Sequence, residues 1–131
     1  MTLDELVASA AERIRRYLPE EAHAAAQAGA ALVDIRAGDR TDAIPGAYHV
    51  PRTVLEWRVA SADWRNLALE GRRLILVCDH GYSSILAAAT LVELGCDCGD
   101  VVGGIEAWRA ARLPLSVPRR RDGLPGMGPP D

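Results

Sequence analysis

The segment Val77-Cys78-Asp79-His80-Gly81-Tyr82-Ser83-Ser84 holds the residues best suited to chemistry. A cysteine follows the apolar run Leu74-Ile75-Leu76-Val77, and a glycine-containing loop with two serines follows the cysteine. With the run as a buried strand and the serines opening a helix, Cys78 stands at the carboxyl end of a strand, where open α/β sheets bind ligands. The loop N–H groups and the helix N-terminus then form a concave donor array that favours an anion. A thiol placed there is stabilised as the thiolate, which is the form that attacks. Gly81 lets the loop turn inward without a Cβ clash. A cysteine at a strand end is otherwise a small buried hydrophobe, and it is the combination of strand, cysteine, loop and serine-capped helix that favours a nucleophile.

The elements that position this segment follow from pattern. Thr2 with Glu5 makes a capping box, and Leu3, Leu6, Val7, Ala10, Ile14, Tyr17 and Leu18 recur at helical spacing. This predicts an N-terminal amphipathic helix within residues 1–18, ended by Pro19. Pro19-Glu20-Glu21 opens a second, alanine-rich helix that Gly29 stops. Ala31–Ile35 reads as a buried strand, Arg36–Gly46 as loop, Ala47–Val50 as a short strand and Val54–Arg58 as a short helix. Val59–Arg73 is helix or loop. Leu74–Val77 is the clearest strand, and Ser84–Leu94 is a buried helix with Ser83 or Ser84 as its N-cap and Gly95 as its stop. Asp100–Val102 is a strand, and Gly103-Gly104 turns into a helix around Ile105, Trp108 and Ala111 that Pro114 closes. The proline-rich residues 116–131 read as an extended or disordered tail. Strands alternating with helices define an α/β fold with a mainly parallel sheet and helices on both faces.

Composition narrows the function. The chain has 131 residues, 49% of them apolar and 25% charged, which suits one domain with its own core. A net charge of −3 disfavours nonspecific nucleic-acid binding. All fifteen basic residues are Arg, which excludes Schiff-base chemistry and a phosphate-binding loop lysine. Three cysteines do not make a secreted disulfide scaffold. Met1-Thr2-Leu3-Asp4-Glu5 is not a secretory leader, and no stretch reaches the roughly 20 apolar residues of a membrane span. A cytoplasmic, reducing location is expected.

Five segments follow one another: Leu32-Val33-Asp34-Ile35-Arg36, Ile44-Pro45-Gly46-Ala47 with Val50-Pro51, Val77-Cys78 with its loop, Leu94-Gly95, and Val101-Val102-Gly103-Gly104-Ile105-Glu106-Ala107-Trp108 with Leu113-Pro114. In this order and spacing they make the chain resemble rhodanese-like domains over residues 19–115. The loop looks most like that of single-domain thiosulfate sulfurtransferases. The resemblance implies a Cys78 persulfide that takes a sulfane sulfur from a donor such as thiosulfate and passes it to a thiol or cyanide, with no cofactor and no metal. It implies that the backbone of Asp79, His80, Gly81, Tyr82, Ser83 and Ser84 cradles the outer sulfur, with hydroxyl donors from Ser83 and Ser84. The loop of Cys78 to Ser83 has the six-residue length of the sulfur-handling members, whereas related phosphatases use a longer one. Many members carry Arg where this chain has Ser83, and a Gly-His pair where it has Asp42-Ala43. A binding or regulatory module with little turnover is the alternative.

Other residues carry paired readings. Arg36 and Arg58 either face the cleft as substrate-binding cations or are salt-bridged on the surface. His80 tunes Cys78 or is an exposed loop histidine, and Tyr82 walls the pocket or packs at its rim. Asp79 is expected to point to solvent, since an inward carboxylate would oppose the thiolate. Asp34 reads as an acceptor for loop N–H groups. In Cys96-Asp97-Cys98 the spacing suits neither zinc nor a dithiol redox motif, so Cys96 reads as buried and Cys98 as a turn residue, with a resolving role for Cys98 as a minor reading. Arg119-Arg120-Arg121 reads as a solvated charge run. The apolar stripe of the first helix packs on its own domain or on a second copy in a homodimer.

Overall fold

A computed structural model describes residues 1–118; the Arg119-Arg120-Arg121 run and most of the expected tail lie outside the described residues. The helices are α1 (Leu3–Glu12), α2 (Pro19–Gln27), α3 (Leu55–Ala60), α4 (Ser83–Glu93) and α5 (Gly104–Ala110). The strands are β1 (Arg15–Tyr17), β2 (Ala31–Asp34), β3 (Tyr48–His49), β4 (Leu74–Val77) and β5 (Cys98–Val101). They form one sheet in the order β1-β5-β4-β2-β3 with every pairing parallel.

β4 is central and buried at all four residues. Its side chains alternate between two cores, as the period of two along a strand requires. Leu74 and Leu76 join Ala31, Val33 and Cys98 beneath α3 and α4. Ile75 and Val77 join Leu32 and Val101 beneath α2 and α5, around the fully buried Trp108. Helices therefore cover both faces, which is why β4 is an unbroken apolar run in the sequence and β2 is one up to Asp34.

The N-terminal segment differs from expectation. The capping box is present, with Glu5 N–H donating to Thr2 Oγ1 at 3.1 Å and Thr2 N–H donating to Glu5 Oε1 at 3.0 Å. The helix stops at Glu12, however, and Arg15–Tyr17 form an edge strand on β5 instead of continuing to Leu18. The spacing of Ile14, Tyr17 and Leu18 fits a helix, but the open edge of β5 offers ladder bonds that a helix leaves unmade; Val102 N–H donates to Tyr17 O at 2.8 Å. Gly99 permits the approach, because a Cβ there would meet the Arg15 carbonyl. α1 packs on its own domain through Val7, Ala10 and Ala11 against Ile85, Leu86 and Ala89 of α4.

Two local expectations are also corrected. Neither serine caps α4: the N-cap position is Tyr82 with no side-chain cap bond. Cys98 is no turn residue but a buried member of β5, while Cys96 is only partly buried.

Trp108 anchors the α2–α5 face and donates from Nε1 to Pro114 O at 2.9 Å. Trp108→Ala should cost about 3–5 kcal/mol of folding free energy, read from urea unfolding midpoints of the two proteins. A loss under 1 kcal/mol would show that this face does not carry the fold.

Candidate active site

Cys78 follows the last residue of β4 and is 3% exposed. Its loop is held from outside by α5. Ile105 N–H donates to the Cys78 carbonyl at 2.8 Å and Glu106 N–H donates to the Asp79 carbonyl at 3.2 Å. The first turn of α5, whose N–H groups have no partner within the helix, is thus satisfied by the loop. In a planar trans peptide the N–H lies opposite the C=O. Fixing these two carbonyls on α5 therefore turns the N–H groups of Asp79 and His80 away from it. Gly104 makes the contact possible: at φ 61° a Cβ there would collide with the Cys78 carbonyl.

The sulfur sits among donors. Gly81 N–H donates to Cys78 Sγ at 3.2 Å, and the thiol donates to Ser84 Oγ at 3.3 Å. Burial pushes the Cys78 thiol up, but hydrogen bonds from the hydroxyls of Ser84 and Ser83 and from the N–H groups of Ser84 and Gly81 outweigh it and hold the thiol below its ordinary value. The other two thiols move the opposite way, since burial pushes up both Cys96 and Cys98. Cys98 pairs in register with Leu74, four residues before Cys78 along the strand. That is about 13 Å at the rise of a strand, which removes the geometry for a resolving thiol.

Ser84 leads away from the loop. It is fully buried, and its hydroxyl donates to Asp100 Oδ2 at 2.7 Å. Asp100, on β5 and also fully buried, is gripped by Arg16 of β1, with Nε on Oδ1 at 2.9 Å and Nη2 on Oδ2 at 3.1 Å. The same Nη2 donates to Gly81 O at 2.9 Å. Neither Asp100 nor Arg16 stands out in the sequence reading. A carboxylate inside the strand Cys98-Gly99-Asp100-Val101 was the available signal, because a buried carboxylate requires a cation or several donors.

The remaining expected residues fall at the rim or outside it. Asp79 is exposed, as its charge requires. The exposed His80 is held through Nδ1 on Glu106 Oε2 at 2.6 Å, so its ring is tied to α5 and not to the sulfur. Tyr82 is 73% exposed, so little of its ring is packed against the loop. A cavity of about 210 Å³ beside the loop is lined by Arg36, Arg40, Asp79, His80, Glu106 and Arg109, among others. Its cations face carboxylates: Arg36 binds Asp34 at 2.8 Å and Asp42 at 3.2 Å, Arg40 binds Asp34 at 3.1 Å, and Arg109 binds Asp42 at 2.7 Å. Asp34 also accepts the Arg36 N–H at 3.1 Å, in the acceptor role expected of it. Arg58 is buried on α3 and donates to Trp64 O at 3.0 Å, bracing the segment after α3 instead of lining that cavity.

A parallel α/β sheet thus delivers a buried thiol, held below its ordinary value, into a glycine-containing loop at the end of its central strand. The Rhodanese-like domain family matches residues 18–111, and the chain belongs to that family. It is 38% identical over 99 residues to the thiosulfate sulfurtransferase GlpE of Pseudomonas savastanoi pv. phaseolicola, covering 73% of this chain and 88% of the relative. It is 39% identical over 98 residues to the enzyme of the same name from Stutzerimonas stutzeri, covering 72% and 84%. Among solved structures it superposes on a protein of Rhodopseudomonas palustris described as of unknown function and a possible tyrosine phosphatase, with a TM-score of 0.79 at 26% identity over 88% of this chain and 95% of that one. A rhodanese homolog of Thermus thermophilus gives a TM-score of 0.56 at 31% identity over 71% and 99%.

In a pH series with limiting iodoacetamide, Cys78 should be alkylated ahead of Cys96 and Cys98, with a midpoint below that of an ordinary thiol. Peptide mapping assigns the site; preferential labelling of Cys96 would contradict the donor arrangement. Gly104→Ala should cost at least about 1–2 kcal/mol from its left-handed backbone alone and slow Cys78 labelling, since the added Cβ displaces the loop carbonyl. Unfolding curves and the labelling rate check both.

Proposed function

We infer that the chain is a rhodanese-type sulfurtransferase that works through a persulfide on Cys78. The observation that carries this reading is a buried thiol, held below its ordinary value, at the mouth of a loop whose donors are backbone N–H groups and hydroxyls. The Cys78 thiolate attacks the outer sulfur of a donor such as thiosulfate. A bond forms between Sγ and that sulfur, and the old sulfur–sulfur bond breaks with its electron pair leaving on sulfite. A thiol or cyanide acceptor then attacks the outer sulfur, and Cys78 departs as the thiolate that began the cycle. Charge on the outer sulfur and on the departing thiolate is stabilised by these donors.

The loop carries neither Arg nor Lys from Cys78 to Ser84, and the neighbouring cations are engaged with carboxylates. This fits transfer of a sulfur atom, and it disfavours hydrolysis of a phosphate ester, which calls for a bidentate guanidinium on the phosphate. Three thiols outside any disulfide suit a reducing compartment, in keeping with a cytoplasmic protein.

Incubation with thiosulfate should add the mass of one sulfur to the intact protein, at Cys78, and cyanide should remove it as thiocyanate. Cys78→Ser should reduce both to the uncatalysed background. A protein that binds donor but never gains sulfur would instead be a binding module, and release of phosphate from a generic aryl phosphate would favour a phosphatase.

A further inference from the structure

We propose that Arg16, on the edge strand β1, is a positioning residue for the Cys78 nucleophile, acting through Asp100 and Ser84 on one side and Gly81 on the other. The proposal rests on Cys78 being the reactive group, as the sulfurtransferase reading has it.

Ser84 has one hydroxyl proton and two claimants for it. With Cys78 as a thiol, the sulfur donates to Ser84 Oγ and Ser84 donates to Asp100 Oδ2. When the thiol loses its proton to solvent, the sulfur becomes an acceptor and the Ser84 hydroxyl must turn to it. Asp100 then gives up a hydrogen bond while fully buried. A bare carboxylate in that position would keep the serine proton and would also repel the thiolate two hydrogen bonds away. Arg16 removes both obstacles. Its Nε and Nη2 satisfy Asp100 and neutralise it, so the serine proton can move without orphaning a charge. Its Nη2 also binds Gly81 O, fixing the residue whose N–H donates to Sγ. One guanidinium thus supports two of the donors to the sulfur, the Ser84 hydroxyl and the Gly81 N–H.

The arrangement follows from the sheet. Arg16 and Asp100 are register partners in the β1–β5 pair, and α4, which carries Ser84, packs on β5. The family match begins at residue 18, so this cation comes from outside the matched region. The other charged groups on the surrounding elements are differently engaged. Asp79 is exposed, His80 is bound to Glu106 of α5, Asp34 of β2 to Arg36 and Arg40, Glu93 of α4 to Arg13, and Arg109 of α5 to Asp42.

The test is the pH profile of Cys78 alkylation by iodoacetamide in the full chain, with folding checked by circular dichroism at each pH. Alkylation reads the thiolate without any sulfur donor, so a protein that follows this pattern yet takes no sulfur would fail only the sulfurtransferase reading. Arg16→Gln should raise the midpoint by about one pH unit, a tenfold loss of thiolate below the midpoint. Arg16→Lys, which keeps the charge and loses the fork, should fall between. Asp100→Asn weakens the competing acceptor and leaves Arg16 cationic, so its midpoint should drop below that of the wild type. Asp100→Asn also keeps the proposal testable if Arg16→Gln does not fold. An unchanged midpoint in Arg16→Gln, or a midpoint in Asp100→Asn that stays or rises, would overturn the proposal; a rise would make Asp100 a proton acceptor for Cys78.

Discussion

The site depends on where two carbonyl groups go. The C=O groups of Cys78 and Asp79 are taken by the N–H groups of Ile105 and Glu106 in the first turn of α5. Since each peptide is rigid, those bonds decide the direction of the Asp79 and His80 N–H groups and fix where the loop starts, before Gly81 and Ser84 meet the sulfur. Several other elements serve this contact. β4 is buried on both faces and brings Cys78 to a fixed height. Gly103 and Gly104 adopt positive φ so that α5 can begin directly against the loop. Trp108, one turn along the helix, locks α5 onto the sheet. A helix end and a loop, each with polar groups of its own to satisfy, satisfy each other.

The parts of this design that are local in sequence were readable from it. β4, the loop and the turn at Gly103-Gly104 announce themselves by an apolar run ended by a cysteine and by paired glycines. The corrections share one cause, which is long-range pairing. Arg15–Tyr17 carry helical spacing, and only the free edge of β5, some eighty residues away, makes them a strand. Ser83 and Ser84 have the chemistry of helix caps, but Ser84 meets Asp100 across the sheet and its hydroxyl is used there. Cys98 follows an aspartate in sequence and still lies in the core, because β5 runs beside β4 on the face that α4 covers.

Arg16 shows the same limit at the functional level. No spacing rule connects it to Cys78, since the link runs through Asp100 and Ser84 on two other elements. What the sequence does contain is an unexplained carboxylate in an apolar strand, and burial makes such a group a demand for a partner. In a chain with fifteen arginines and no lysine, a permanently charged partner is a guanidinium.

The choice has a chemical consequence. A guanidinium is planar and offers several N–H groups in a fixed fork, whereas an ammonium is a point charge. Arg16 uses two nitrogens to hold both oxygens of Asp100 and the Gly81 carbonyl at once. The pair it forms with Asp100 is neutral overall, so no net charge is added beside the sulfur. A neutral environment rich in donors suits a group that alternates between a thiolate and a bond to sulfur. The thiolate and the persulfide that replaces it each carry one negative charge, on Sγ in the first and on the outer sulfur in the second. By pairing its charges away from the loop and meeting the sulfur with backbone N–H groups and hydroxyls, the fold offers donors to one negative charge on sulfur whether it rests on Sγ or one atom further out.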